Sequence, residues 1–207
     1  MTQQIEKVWP EWRVVEEIGS GAYGTVYKAV RQDHNLVSYS AIKVISIPKS
    51  ASEVEALRAE GMNIDGTRTF LQGIVDDFVG EIEVMESLKA TQNIVSVEDY
   101  KVIERTGEIG WDIYIRMELL TPVTSWRLSH PMTEEQVIRL GIDLCSALEI
   151  CEKKRIIHRD IKPENIFLNE FGFFKLGDFG IARKLSAAQS SNSIKGTYNY
   201  MAPEVSR

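Results

Sequence analysis

Short apolar runs rich in β-branched and aromatic residues fill positions 12–47. Val14, Ile18, Val26, Tyr27, Val30, Val37, Tyr39, Ile42, Val44 and Ile45 are broken there by glycines and polar turns, a pattern that predicts several short strands. The period then lengthens. Residues 50–60 and about 66–90 read as helices, with Ser52 to Gly61 as an added helix and Asn63 to Gly66 as a turn. At about 100° per residue, Ile74, Phe78, Met85 and Leu88 share one face of the longer helix. Strand character returns at 94–104 and 111–119, where Ile113, Ile115 and Met117 alternate with polar positions. A further helix is predicted over 134–153. Thr133 and Gln136 form a capping box at its start, and Val137, Leu140, Leu144, Leu148 and Cys151 form its apolar stripe. Short strands and loops come after it, with a Ser-rich loop from Ser186 to Ser193. The pattern is a mostly β first part holding one major helix, then a mostly helical part, without internal repeats.

Composition narrows the class. With 207 residues, 43% hydrophobic and 26% charged, the chain can bury a sizeable core as one large or two-lobed domain. Its apolar runs all fall short of the ~18–20 residues that span a bilayer. Met1 to Pro10 lacks the apolar core and positive cluster of a signal peptide. A net charge of −6 argues against nucleic acid as the main partner. Cys145 and Cys151 fall on different faces of a predicted helix, roughly 9 Å apart along its axis, too far for a disulfide. Reduced thiols fit a cytoplasmic location.

The candidate chemistry begins at Gly19-Ser20-Gly21-Ala22-Tyr23-Gly24. A dinucleotide-binding loop of this spacing would open a helix. Here Thr25-Val26-Tyr27-Lys28-Ala29-Val30 comes next, which reads as a strand, so the glycines form a hairpin lid whose backbone approaches phosphates closely. Lys43 is the charge inside the apolar strand Ala41-Ile42-Lys43-Val44-Ile45, and burial there requires a partner. Glu81 falls within the apolar arc of the long helix, whereas Glu83 points away and Glu86 lies at its edge. A carboxylate on that stripe calls for a buried cation, which makes Glu81 the partner expected for Lys43. Farther on come His158-Arg159-Asp160-Ile161-Lys162-Pro163-Glu164-Asn165, Asp178-Phe179-Gly180 and Ala202-Pro203-Glu204. Asn165 and Asp178 offer the hard oxygen ligands that magnesium prefers.

These strings, in this order, resemble the eukaryotic-type protein kinase family. The resemblance implies an α+β, bilobal kinase-like fold. Residues 1–11 would be an N-terminal extension, 12–120 a β-rich lobe with an extended helical segment at about 50–90, and 121–207 part of a helical lobe with the catalytic loop and activation segment. It implies ATP with Mg²⁺ (Mn²⁺ as the alternative ion) and protein substrates phosphorylated on Ser or Thr. Gly19, Gly21 and Gly24 would cover the phosphates that Lys43 holds, and the helix bearing Glu81 would be the regulatory helix of that lobe. Ile18, Val26, Ala41 and Phe167 would sandwich adenine. Met117 would be the gatekeeper, with Glu118 and Leu120 offering backbone groups to the base. Asp160 would orient the substrate hydroxyl, Lys162 would contact the transferring phosphate, and Asn165 and Asp178 would hold the metal.

By the same resemblance His158 is structural rather than a general base. It would stack under Phe179 and join Met85 and Val97 in a spine. Arg159 would receive a phosphate placed on Ser190, Ser191 or Ser193 of the activation loop, with Thr197 in a structural role. The long segment between Lys43 and Glu81 resembles a subset of bacterial Ser/Thr kinases. Members of the family continue past Ala202-Pro203-Glu204 into further helices, so a truncated lobe is expected here. The alternative is a catalytically weak module that binds nucleotide or a partner. A pseudokinase is disfavoured by the intact Lys43, Glu81, Asp160, Asn165 and Asp178.

Overall fold

The computed structural model describes residues 2–21, 24–179 and 200. The described chain divides into two compact units, one of residues 1–86 with 97–119 and one of residues 87–96 with 120–207.

The first unit is built on a five-stranded antiparallel sheet. Its strands are β1 (Arg13–Gly21), β2 (Gly24–Asp33), β3 (Leu36–Ile47), β4 (Val97–Glu104) and β5 (Trp111–Glu118), in the order β1-β2-β3-β5-β4. The β-branched runs of the sequence fall on these strands, and register decides what each face carries. Val26 lies opposite Lys43, and Lys43 opposite Ile115; Ala41 lies opposite Met117, and Met117 opposite Val97. Directly opposed residues share a face, as do residues two apart on a strand. Val26, Ala41, Lys43, Ile115 and Met117 therefore line one face of the sheet. Tyr27, Ile42, Val44 and Tyr114 line the other.

Two helices come after β3, α2 (Ala51–Ala59) and α3 (Ile64–Ser87). The turn expected at Asn63 to Gly66 is instead the first turn of α3. Asn63 Oδ1 accepts from the Gly66 amide at 2.7 Å and its carbonyl accepts from Thr67 N at 2.9 Å, so the side chain that suggested a turn caps the helix. Inward-facing α3 residues are Thr67, Leu71, Val75, Phe78, Ile82 and Met85. Arg68 ties the helix to the sheet through an ion pair with Glu104 and a position 5.8 Å over the Trp111 ring.

The N-terminal extension is also part of this unit. A short helix, α1 (Thr2–Val8), ends where Trp9 N donates to Ile5 O at 2.9 Å. Ile5, Trp9 and Trp12 are buried in one cluster with the Tyr27/Ile42/Val44/Tyr114 face of the sheet. Ile5, Val8, Trp9 and Trp12 do stand at the helical spacing i, i+3, i+4 and i+7, but over a stretch too short to indicate a stable helix by itself.

The second unit holds a three-stranded sheet of β6 (Thr121–Pro122), β7 (Ile166–Leu168) and β8 (Phe174–Leu176). Ile94 bridges to Leu176 in parallel. Two helices, α4 (Val123–Ser129) and α5 (Glu134–Lys153), accompany it. The capping box at the start of α5 forms as expected: Thr133 Oγ1 accepts from Gln136 N at 3.3 Å, and Gln136 Oε1 accepts from Thr133 N at 3.0 Å. Its buried face differs from the expected stripe. Asp143, Ala147 and Cys151 are buried, whereas Val137 is 52% exposed. Among the described residues, no helix is long and apolar enough to cross a membrane.

Candidate active site

In the first unit, β-sheet register collects most of the nucleotide-binding residues expected from the sequence. Val26, Ala41, Lys43 and Met117 share one face, and Gly19 lies opposite Val26. Lys43 is buried, Ala41 is buried, and Val26, Met117 and Glu118 are half-buried. Ile18, Gly19 and Gly21 are exposed on β1. Gly24 is the glycine the lid cannot replace. Its φ is +128°, and a Cβ there would lie 2.1 Å from the Val44 carbonyl oxygen, so only hydrogen lets β2 approach β3 this closely. Ala22 and Tyr23 lie outside the described residues. Glu81 is half-buried on α3, with Oε2 enclosed, immediately before the fully buried Ile82.

The second unit carries the candidate catalytic string. After α5, the chain turns at Arg155, whose φ is +57°, and runs through His158, Asp160 and Lys162 into the 3-10 turn Pro163–Asn165. Asp160 is 9% exposed. Its Oδ2 receives Lys162 Nζ at 2.8 Å and Asn165 Nδ2 at 3.0 Å, and its carbonyl receives the same Nδ2 at 2.8 Å. Its Oδ1 is buried with no hydrogen-bond partner among the described residues. A buried carboxylate oxygen left without a donor is costly, and a substrate hydroxyl is the kind of donor that would satisfy it. With its amide nitrogen committed to Asp160, Asn165 keeps its side-chain oxygen for a cation.

His158 is held in one tautomer. Its Nε2 lies 2.9 Å from the Gly177 carbonyl, which can only accept, so Nε2 carries the proton and Nδ1 accepts from Asp160 N at 3.3 Å. Burial pushes its pKa below the ordinary 6.5, against the opposing pull of the Gly177 carbonyl. The ring sits 4.5 Å from that of Phe179, centroid to centroid, tilted by 52°. Both imidazole nitrogens are used in positioning the loop, and neither is free for proton transfer. Met85 and Val97, the other residues expected in the spine, are buried in the first unit.

Asp178 is delivered by β8, and residues the sequence did not single out hold that strand. Asp143 Oδ2 accepts from Phe174 N at 2.9 Å, and Asn93 Nδ2 donates to Phe174 O at 3.0 Å. Leu176 N donates to Asn93 O at 2.9 Å, and Val95 N to Leu176 O at 2.9 Å. Gly177 N donates to Asn165 O at 2.9 Å. A Cβ on Gly177 would lie 2.8 Å from Val95 Cγ2 and 3.0 Å from Phe167 Cε2. The strand leading into Asp178 is thus tied to its neighbours on both sides. Asp178 itself has φ +53°, and Arg159 has φ +68°, sparsely populated for such residues and typical of functional loops. The signals for these supports were an acid inside an apolar helix face at Asp143 and a glycine directly before Asp178.

Leu120 and Phe167 are half-buried in this unit. Gly180, Ser190, Ser191, Ser193, Thr197 and Ala202-Pro203-Glu204 lie outside the described residues.

A glycine-strand lid, a buried lysine on an adjacent strand and an Asp–Lys–Asn cluster preceding a second aspartate define a phosphotransferase. The protein kinase domain family model matches residues 12–207, and the chain belongs to that family. It is 31% identical over 196 residues to Serine/threonine-protein kinase 36 of Pongo abelii, covering 94% of this chain and 13% of that protein. It is 33% identical over 192 residues to Serine/threonine-protein kinase fused of Drosophila melanogaster, covering 91% of this chain and 20% of that protein. It is 31% identical over 194 residues to Serine/threonine-protein kinase pakG of Dictyostelium discoideum, covering 91% of this chain and 14% of that protein. The chain thus spans a fifth or less of the length of these relatives.

Proposed function

We propose that this chain is the catalytic region of an ATP-dependent kinase that phosphorylates Ser and Thr hydroxyls of proteins. The observation that carries the proposal is Asp160: one carboxylate oxygen is committed to Lys162 and Asn165, and the other is buried and has no donor among the described residues. A substrate hydroxyl donating to Oδ1 would be held and polarised there. Lys162, already 2.8 Å from Asp160, supplies positive charge where negative charge develops on the transferring group. The reaction needs positioning and charge compensation more than covalent help, and rigidly held polar groups of this kind provide both.

Lys43 and the glycine lid are assigned to the nucleotide phosphates, and Ile18, Val26, Ala41, Met117, Glu118, Leu120 and Phe167 to the adenine end. Asn165 and Asp178 fit a hard divalent cation, and magnesium is the proposed ion because it takes few protein ligands together with phosphate oxygens. Bound there, the cation would neutralise phosphate charge. Free thiols at Cys145 and Cys151 support a reducing, cytoplasmic setting.

The test is phosphorylation of a generic basic protein by the wild-type chain and by Asp160→Asn, with ATP and Mg²⁺. A loss of about 10²–10⁴-fold is expected from a group that handles the reacting proton. Equal signals from both proteins would refute the assignment. No signal from the wild type, together with an ATP-induced thermal shift, would favour the nucleotide-binding module.

A further inference from the structure

The segment before Arg13 is not a passive leader. A seven-residue helix such as α1 is too short to be stable alone, so it exists because it is docked. Its anchors, Ile5, Trp9 and Trp12, are 0%, 4% and 3% exposed. They reach across the sheet rather than onto one strand. The cluster takes Tyr27 from β2, Ile42 and Val44 from β3, and Tyr114 from β5. Trp9 Nε1 donates to Asp99 Oδ2 on β4 at 2.8 Å, and the Trp9 and Tyr114 rings meet edge to face, 6.4 Å apart. The Arg116 guanidinium lies 5.8 Å from the Trp9 ring and 4.9 Å from that of Trp12. Val14 of β1 packs on the same cluster, and its amide donates to Glu6 Oε1 at 3.3 Å, so all five strands are engaged from this side.

What they carry on the other side is the nucleotide machinery. Ile42 and Val44 flank Lys43, and Arg116 precedes Met117. Strand side chains alternate between faces, so fixing Ile42 and Val44 beneath α1 fixes the direction in which Lys43 leaves the strand.

We propose that residues 2–12 form a positioning strap, with Trp9 and Trp12 as positioning residues, which orders β2, β3 and β5 for nucleotide binding from the opposite face of the sheet. The proposal rests on the assignment of Lys43 and its neighbours to ATP. Docking of the strap and binding of nucleotide then favour each other, and linkage makes the coupling reciprocal.

The experiment measures the dissociation constant of a non-hydrolysable ATP analogue with Mg²⁺, well below the unfolding midpoint. It uses the wild-type chain, Trp9→Ala, Trp9→Phe and a chain lacking residues 2–9. Hydrogen exchange across residues 4–14 of the wild type is measured with and without the analogue. Expected are roughly 5- to 10-fold weaker binding in Trp9→Ala and in the deletion, the size of a typical coupling. Trp9→Phe should recover most of the loss, and bound analogue should slow exchange in residues 4–14 of the wild type. Should the deletion fail to fold, the two Trp9 variants and the exchange measurement still decide. Equal affinities in all folded variants, with only the unfolding temperature lowered, would make α1 a structural prop and overturn the strap. A wild type that binds no analogue would overturn the nucleotide assignment itself, and the coupling with it.

Discussion

Replacing Asp143 isolates the support behind Asp178, the aspartate proposed to hold the cation. The side chain is 4% exposed, and its Oδ2 is 2.9 Å from the Phe174 amide. In Asp143→Ala that amide loses its acceptor inside the protein, a cost of roughly 1–3 kcal/mol. Removing a buried carboxylate also relieves its desolvation, so the net loss falls toward the lower end, about 1–2 kcal/mol. For a chain of this size each kcal/mol lowers the midpoint by about 2–4 °C. Asp143→Ala should therefore unfold about 2–8 °C earlier. Asp143→Asn keeps a carbonyl oxygen for the Phe174 amide, trading the charge and the second oxygen for an NH2 group, so it should stay within about 1 kcal/mol of wild type. Circular dichroism melts of the three proteins give the order directly. Mg²⁺-dependent nucleotide binding should weaken in the Ala variant and persist in the Asn variant, because β8 leads straight into Asp178. An Ala variant as stable as the Asn variant would refute the view that this hydrogen bond holds the strand.

Other consequences are simpler to state. Gly24→Ala would force a Cβ to 2.1 Å from the Val44 oxygen at a φ of +128°. The backbone conformation alone costs about 1–3 kcal/mol and the clash adds to it, so nucleotide titration should show the lid failing with at least a several-fold loss of affinity. Because burial lowers the His158 pKa from 6.5, the unfolded chain takes up a proton near that pH before the folded chain does. The stability this contributes is complete above pH 6.5 and declines as pH falls toward the lowered folded value. Urea unfolding of His158→Phe should show a shallower dependence on pH over that window than the wild type. Thr133→Ala removes the oxygen that accepts from Gln136 N, and thermal melts should register about 1 kcal/mol lost from the start of α5.

Features that depend on local sequence were legible before the fold was known. A glycine lid leading into β-branched residues, a lysine in an apolar strand, and the run from His158 to Asn165 each carry their chemistry within a few residues. Likewise, strand propensity and the Thr133/Gln136 box are short-range effects, and β1 to β5 and α5 fall where they predict. Asn63 shows the limit of this kind of inference, since the same side chain can close a turn or cap a helix. The apolar face of α3, packed from Thr67 to Met85, selects the cap.

Other features depend on residues far apart in the chain. Ile5, Trp9 and Trp12 keep a helical spacing, but what buries them could not be read from it, because their partners lie on β2, β3, β4 and β5. Asp143 reads as a stray acid in an apolar helix until Phe174 is brought to it. Sheet register, not spacing along the chain, places Val26, Ala41, Lys43 and Met117 on one face and the cluster holding Trp9 and Trp12 on the other. The family of this chain could be read from the order of its residues alone, because each of its motifs fits within eight consecutive positions. How those motifs are held emerged with the folded chain, because burial and hydrogen bonding join residues that the sequence keeps apart.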